Sequence, residues 1–137
     1  MIAACGKPAA TSDAFVFCTD QTPLAPAFAN VQRLFTMTCT TCHTTGVELA
    51  LLPGSSYANL VGRPAPSYTD PATDESCGGL LVTPGDPGAS YLYQKVSNDT
   101  PCAGARMPRT DIGTAIALPA CQQALIHDWI AAGALND

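Results

Sequence analysis

The chain has 137 residues, a formal net charge of −5, 47% hydrophobic residues and only 12% charged residues. This length predicts one domain with a modest core, and every apolar stretch is far shorter than the roughly 18 residues that a membrane-spanning helix needs. The six Lys and Arg residues are scattered, which excludes a basic surface for nucleic acid. Eleven Gly and twelve Pro residues predict many turns and few long regular elements.

Residues 1–27 are predicted to form an N-terminal leader, followed by a single domain at 28–137. The sequence IAACG at 2–6 resembles a bacterial lipobox, in which a Cys after two small residues carries the lipid. Cys5 is therefore a candidate lipidation site that would hold the domain at a membrane surface without spanning it. The alternative is that Cys5 is an ordinary free or disulfide-bonded cysteine.

The first helix is predicted at about 27–41. Its apolar residues recur at helical spacing, and they are Phe28, Val31, Leu34 and Phe35, continued by Thr38. This helix runs directly into the pentapeptide CTTCH at 39–43. The pentapeptide should therefore sit at the end of a buried helical face.

Three further helices are predicted, at about 56–61, 88–97 and 119–133. Asp86 lies in a Pro-Gly-Asp-Pro turn and can cap the second of them. Pro119 suits the first position of the last helix, because a helix leaves the first backbone N–H groups without partners. The apolar face of that last helix is formed by Leu125, Ile126, Trp129 and Ile130.

The pattern C-x-x-C-H, formed by Cys39, Cys42 and His43, is the attachment signal for c-type haem. Residues three apart on a helix share a face, so the two thiols can form thioethers with the vinyl groups along one porphyrin edge. His43 then ligates the iron. A thioredoxin-like redox pair would need a preceding strand and a βαβ pattern. A zinc site would need four ligands, and the motif supplies three.

The sequence offers four candidates for the second axial ligand of the iron: Met1, Met37, Met107 and His127. Met107 is favoured, because it lies in a loop that can swing over the ring and is followed by Pro108, which stiffens the backbone. The alternative for Met107 is a core-filling methionine. Met37 is too close to Cys39 to reach the opposite haem face, and His127 is more simply a helix-surface residue.

A His/Met pair of ligands favours ferrous iron and raises the reduction potential relative to two histidines. With both axial positions filled, no position remains for oxygen or substrate, so the sequence predicts an electron-transfer protein and not an enzyme. Two alternatives stay open. One is a haem-based sensor or peroxidase-like enzyme with a labile sixth ligand, and the other is a scaffold role with a redox-silent haem.

Four segments resemble the single-haem cytochrome c domains of planctomycetes, myxobacteria and related bacteria, which are relatives of class I cytochrome c. They are LVG at 60–62, VTPGDPGASYLYQKV at 82–96, RMP at 106–108 and IAAGA at 130–134. The resemblance spans roughly residues 28–135. It implies an all-α small cytochrome c fold, with helices packed around one covalently bound haem and long Pro/Gly-rich loops.

The resemblance also implies the site: one haem c attached through Cys39 and Cys42, with His43 as proximal and Met107 as distal ligand. The Pro53 carbonyl would orient the His43 ring, a hydrogen bond that tunes the iron. Five residues are candidate pocket walls or ordinary core: Leu52, Tyr57, Leu60, Leu92 and Trp129. Two residues are candidate partners for a haem propionate or exposed solvated side chains: Arg63 and Arg106.

The remaining cysteines depart from that family pattern. With Cys5 set aside, four cysteines allow three pairings, and they are Cys18, Cys77, Cys102 and Cys121. The favoured set is Cys77–Cys102, which would staple two long loops, with Cys18–Cys121, which would tie the leader to the last helix. Such bridges predict an exported protein, in the periplasm or lipid-anchored at a membrane surface.

The predicted partners are other redox proteins, which would dock weakly and briefly. An acidic surface favours a basic docking patch on such a partner. The chain would act alone or as a subunit of a respiratory or photosynthetic electron-transfer complex.

Overall fold

The computed structural model describes four ranges of the chain: 17–47, 49–65, 79–110 and 113–137. Cys5 and Cys77 lie outside these ranges. The expected lipidation site and the expected Cys77–Cys102 pairing therefore fall outside the described residues. The structure likewise leaves the boundary between leader and domain at residue 27 as a prediction.

Four helices are present in the described ranges: α1 (Phe28–Thr38), α2 (Ser56–Leu60), α3 (Tyr91–Ser97) and α4 (Ala120–Ala131). Each matches a helix predicted from the sequence, but each is shorter than expected. None of the helices in these ranges has both the length and the apolar character needed to cross a membrane.

The all-α cytochrome c fold expected from the resemblance is wrong. Helices account for only 33% of the described residues, and 9% are β-type. The β-type residues form isolated bridges between loops, such as Val61 with Val82 and Pro64 with Leu80. The physical reason is the density of Pro and Gly, which interrupts backbone hydrogen bonding and leaves long irregular connections that pair with one another.

The core lies where α4 packs against both α1 and α3. The predicted faces are confirmed: α1 buries Phe28, Val31, Leu34 and Phe35, and α4 buries Leu125, Ile126, Trp129 and Ile130. These side chains are almost completely shielded from solvent. Their burial supplies most of the driving force that holds the short helices together.

An aromatic cluster joins α1, α2 and α4. The Phe28 ring lies 5.1 Å from the Tyr57 ring and 5.3 Å from the Trp129 ring, measured between centroids. The polar ends of two of these rings are satisfied by the C-terminal segment. Tyr57 Oη donates to the Ala134 carbonyl at 2.8 Å, and Trp129 Nε1 donates to the Leu135 carbonyl at 2.9 Å.

The same C-terminal segment covers the start of α1. The Phe28 N–H donates to Asp137 Oδ1 at 2.9 Å, and the Ala29 N–H donates to the Asp137 carbonyl oxygen at 3.0 Å. These are two of the N–H groups that a helix leaves without partners at its first turn. A carboxylate at this position also interacts favourably with the helix dipole.

Disulfides tie the loops to this core. The favoured Cys18–Cys121 bridge is present, with the two Cα atoms 6.0 Å apart, and it fastens the segment before α1 to the first turn of α4. Cys42 and Cys102 are also disulfide-bonded. Cys39 is a free thiol.

Two side chains hold the turn before α3, and Asp86 does not cap this helix as the sequence predicted. Asp86 Oδ1 accepts from the Ala89 N–H at 3.0 Å, but α3 itself begins only at Tyr91. The fully buried Ser90 hydroxyl donates to the Asp86 carbonyl and accepts from the Thr83 N–H, both at 2.8 Å. This turn sets the direction of α3 and of the loop that follows it.

Candidate functional site

The C-x-x-C-H motif forms one turn beyond the end of α1. The helix ends at Thr38, and the chain then makes a further turn in which the Cys42 and His43 N–H groups donate to the Cys39 carbonyl at 3.2 and 2.9 Å. The helix predicted to reach residue 41 is therefore shorter. The turn nevertheless keeps the two cysteine residues and the histidine close together.

The His43 ring is oriented by a backbone carbonyl. His43 Nδ1 lies 2.9 Å from the Leu49 carbonyl oxygen, and since a carbonyl can only accept, Nδ1 carries the proton. In the neutral imidazole, the other ring nitrogen, Nε2, then has the lone pair that a metal ligand needs. The Leu51 N–H donates to the His43 carbonyl at 2.9 Å and closes the same loop.

The carbonyl that orients His43 is not the one expected. The resemblance assigned this role to Pro53, but Pro53 is exposed and does not line the cavity described below. The chain reverses earlier, at Gly46, whose φ of +83° lies in the left-handed region that favours glycine. The reversal brings the carbonyl of Leu49 to the ring before the chain reaches Pro53.

A cavity of about 700 Å³ lies beside this turn. Its volume falls within the about 300–1,000 Å³ that is typical of small-molecule and cofactor sites. Cys39, Cys42, His43 and Met107 all line it. Most of the remaining wall is apolar and comes from three helices and three loops, including Leu34, Phe35, Leu49, Leu51, Leu81, Leu92, Val96, Leu118 and Ile126.

The Met107 loop is fastened to the end of α3. The Met107 N–H donates to the Lys95 carbonyl at 2.7 Å. Arg106 donates through Nε and Nη2 to the Val96 carbonyl, both at 3.2 Å, and forms an ion pair with Asp99. These contacts hold the loop along the cavity wall.

The structure separates the candidates for the second axial ligand. Met107 lines the same cavity as His43. His127 does not line it: its Nδ1 lies 2.8 Å from Asp128 Oδ1, its ring stacks edge-on against Tyr93 at 5.2 Å, and its side chain is 45% exposed. Met37 is exposed on α1, away from the cavity. Met1 lies outside the described residues.

The two cysteines of the motif differ in chemical state. Burial raises the pKa of the Cys39 thiol to about 12, because the thiolate would lose its hydration. The Cys42 sulfur is already bonded in a disulfide. Only a reduced sulfur can form a thioether, so attachment of a porphyrin at both positions requires that the Cys42 disulfide be absent or opened first.

The cationic groups on the cavity wall are Lys95 and Arg109. Burial lowers the pKa of Lys95, and the nearby Arg109 charge lowers it further. The two arginines considered from the sequence lie elsewhere: Arg63 is exposed and donates to the Ala58 carbonyl at 2.9 Å, and Arg106 serves the loop contact described above. No short motif in the sequence distinguishes Lys95 or Arg109 from the other basic residues.

Only one of the five candidate wall residues lines the cavity, and that residue is Leu92. Leu60 and Trp129 are buried in the core and Tyr57 packs against it, but none of the three lines the cavity. The spacing of apolar residues predicts that Trp129 is buried, but it does not predict whether Trp129 faces the core or the cavity. The reason is that α4 packs against both α1 and α3. The wall residues that the sequence analysis missed, such as Leu51 and Leu118, lie in loops without any period.

Comparisons with protein-family models, with curated proteins and with solved structures find no match to this chain. Within the ranges 17–47, 49–65, 79–110 and 113–137, no group of three or more His, Cys, Asp or Glu side chains is arranged to hold a bare metal ion.

Proposed function

We propose that this protein carries one c-type haem and transfers electrons. The observation that carries the proposal is the cavity itself. It brings the C-x-x-C-H turn and Met107, which lie far apart in the sequence, to one apolar space of about 700 Å³. A C-x-x-C-H sequence that had arisen by chance would not be expected to border an apolar cavity of this size.

The residues present fit a covalently attached porphyrin. The motif supplies two cysteines for attachment and an imidazole whose Nδ1 is held by the Leu49 carbonyl, which leaves Nε2 as the nitrogen that can bind iron. The Met107 thioether is a soft, neutral ligand of the kind that pairs with histidine in electron carriers. The surrounding leucine, valine and isoleucine side chains match the apolar faces of the ring.

Haem bound in this cavity would supply one-electron chemistry at its iron. The role of His43 is to bind and to be held in one orientation by the Leu49 carbonyl, which raises its basicity. Met107 would hold the iron as a second ligand, and its thioether would keep small ligands out. The apolar wall excludes water and so favours the less charged, reduced state.

Because Cys42 is in a disulfide, attachment of haem at this position would require that the disulfide be reduced. Attachment of a haem through two thioethers would require the sulfurs of Cys39 and Cys42 both to be thiols first. A dithiol reductant would supply that state during maturation: it would be oxidised to a disulfide while Cys42 and its partner cysteine are released as thiols. The protein would therefore pass from a haem-free form with Cys42 oxidised to a loaded form with both cysteines alkylated.

The direct test is expression of the full chain in a bacterial host that matures c-type haems. The expected product is red, has the mass of the polypeptide plus one haem, and keeps the haem after denaturation. The Cys39→Ser and Cys42→Ser double variant is expected to lose covalent haem. A colourless wild-type protein, with Cys42 still in a disulfide and Cys39 still a thiol, would end the proposal.

Axial ligation separates electron transfer from the alternative of a sensor or peroxidase-like enzyme. Oxidised wild-type protein is expected to show the weak far-red band of Met–iron ligation, and reduced protein is expected not to bind carbon monoxide. Met107→Ala should lose the band and gain carbon monoxide binding. His127→Ala is the matched control and should change neither. Carbon monoxide binding by the wild type would favour the alternative.

We also propose export and attachment to a membrane surface through lipid on Cys5. The Cys18–Cys121 disulfide supports an oxidising compartment. Two exposed apolar side chains, Val47 and Ile116, border the cavity and suit a weak docking surface for a redox partner. Cys5→Ser in the full-length precursor should move the protein from the membrane fraction to the supernatant, and an unchanged distribution would rule out the anchor.

A further inference from the structure

Lys95 directs its side chain to the loop that carries Met107. It lies in the last turn of α3, and its Nζ donates to the Ala103 carbonyl at 2.9 Å and to the Ala105 carbonyl at 2.7 Å. Hydrogen bonds from an ammonium group are stronger than those between neutral groups. The side chain is half-buried, so these carbonyls replace much of its water.

The Lys95 backbone contacts the same loop. Its carbonyl accepts from the Met107 N–H at 2.7 Å. One residue of α3 therefore contacts every second residue of the loop, at positions 103, 105 and 107. Such a repeated contact fixes the path of the loop, and not merely one point of it.

The neighbours of Lys95 strengthen this arrangement. The Tyr91 hydroxyl also donates to the Ala103 carbonyl, at 3.1 Å, and Lys95 Nζ lies 5.9 Å from the centroid of the Tyr91 ring. Gly104 stands between the two carbonyl acceptors with φ at +67°, and a Cβ placed there would lie 3.1 Å from Lys95 Nζ. The glycine therefore lets the ammonium group approach the loop backbone closely.

We propose that Lys95 is a positioning residue, which clamps residues 103–107 and thereby holds the Met107 side chain at the cavity. The inference rests on the proposed function in one respect, namely that Met107 is the axial ligand. The clamp itself is a property of the chain with or without haem. Ligation of the iron by Met107 would then depend on Lys95, which is not itself a ligand.

A second fastening keeps the loop near α3 when the clamp is lost. Arg106 is tied to the Val96 carbonyl through two nitrogen atoms. Lys95→Met, which keeps an unbranched side chain but removes the charge, should therefore loosen the loop without unfolding the protein. Lys95→Arg should restore part of the clamp, since its guanidinium can donate to the same carbonyls.

The first experiment measures amide hydrogen exchange of the haem-free wild type and variants. Lys95→Met is expected to speed exchange of the Met107 amide, which donates to the Lys95 carbonyl, by about tenfold or more, because the two charged hydrogen bonds that hold the loop are lost. The urea midpoint should stay near that of the wild type. Arg63→Gln is the matched control, since it removes an arginine side chain that contacts a carbonyl far from the cavity.

The second experiment uses the haem-loaded protein. Lys95→Met should weaken the far-red Met–iron band and allow carbon monoxide to bind, Lys95→Arg should recover part of the band, and Arg63→Gln should match the wild type. Unchanged exchange in Lys95→Met, or an unchanged band in the loaded variant, would overturn the inference. If the wild type takes up no haem, the proposed function fails, whereas the exchange experiment still decides whether Lys95 clamps the loop.

Discussion

Two regions of this molecule are held together by different forces. The helical side, formed by α1, α4 and residues 132–137, is organised by apolar side chains that bury one another, above all Trp129 and its aromatic neighbours. The loop side, formed by α3 with the loop residues 39–47, 49–52, 98–110 and 113–118, is organised by side chains that donate to backbone carbonyls, such as those of Lys95 and Arg106.

The cavity lies where the two regions meet, because α1 and α4 contribute wall residues such as Leu34 and Ile126 beside those of the loops. On the helical side, side chains from both helices meet and fill the space between them. On the loop side, polar contacts hold the backbone while apolar side chains such as Leu51 and Leu92 face a shared volume. A binding site needs this second arrangement, because its walls must stay in place without collapsing onto one another.

The largest effect should come from breaking the helical side at its centre. Trp129 is fully buried and packs against Phe28. Trp129→Ala is expected to lower the free energy of unfolding by about 3–5 kcal/mol, measured by urea denaturation. Leu135→Ala is the control, since that side chain is 58% exposed, and it should stay within about 0.5 kcal/mol. Equal losses in the two variants would contradict this account of the core.

Removing the bridge between the two ends of the chain should have the next largest effect. The double variant Cys18→Ser and Cys121→Ser frees partners that are 103 residues apart in the sequence. We expect a loss of about 2–4 kcal/mol in urea denaturation under non-reducing conditions. Each single variant should cost about as much as the double, because either one removes the bridge. Additive single losses would indicate that the cysteines act separately.

The free thiol on the loop side should titrate abnormally. The folded pKa of Cys39, about 12, lies above its unfolded value of 9.0. The neutral thiol is therefore favoured by folding, and this stabilisation is present below pH 9 and lost as the pH rises towards 12. At pH 8, alkylation of the haem-free folded protein should be at least about tenfold slower than in denaturant without reductant. Equal rates, followed by mass spectrometry, would refute burial of this thiol.

A smaller effect is expected at the start of α1. Asp137→Ala removes the carboxylate that accepts from the Phe28 N–H. The expected loss is about 0.5–2 kcal/mol, the usual range for a lost helix cap, measured by urea denaturation. Asn136→Ala changes the adjacent exposed residue and should cost less than about 0.5 kcal/mol. A larger loss in the Asn136 variant would reverse the assignment.

The smallest effect is expected when the ion pair on the loop side is broken while the hydrogen bonds to a backbone carbonyl are kept. The Asp99 side chain is 88% exposed, so Asp99→Asn should cost only about 0–1 kcal/mol despite the ion pair with Arg106. Arg106→Ala also removes the bonds to the Val96 carbonyl and should cost about 1–3 kcal/mol. Thermal unfolding of both variants checks the order, and a greater loss for Asp99→Asn would invert it.

Much of the helical side could be predicted from the sequence, because its signal is local. Residues 28–35 and 125–130 repeat at helical spacing, and the structure buries the predicted side chains. The all-α fold could not be predicted correctly, because the resemblance rested on short motifs while the Pro/Gly-rich connections form isolated bridges across long separations. The same limit led to Pro53 instead of Leu49 as the carbonyl beside His43.

The amino-acid sequence by itself determined the helical segments and the C-x-x-C-H motif, since both depend on neighbours within a few residues. Tertiary structure alone decided that Met107 and not His127 shares a cavity with His43, and that Lys95 holds the Met107 loop. The reason is physical. A loop has no periodic pattern, and its path is set by carbonyl groups and donors that only folding brings within hydrogen-bond distance.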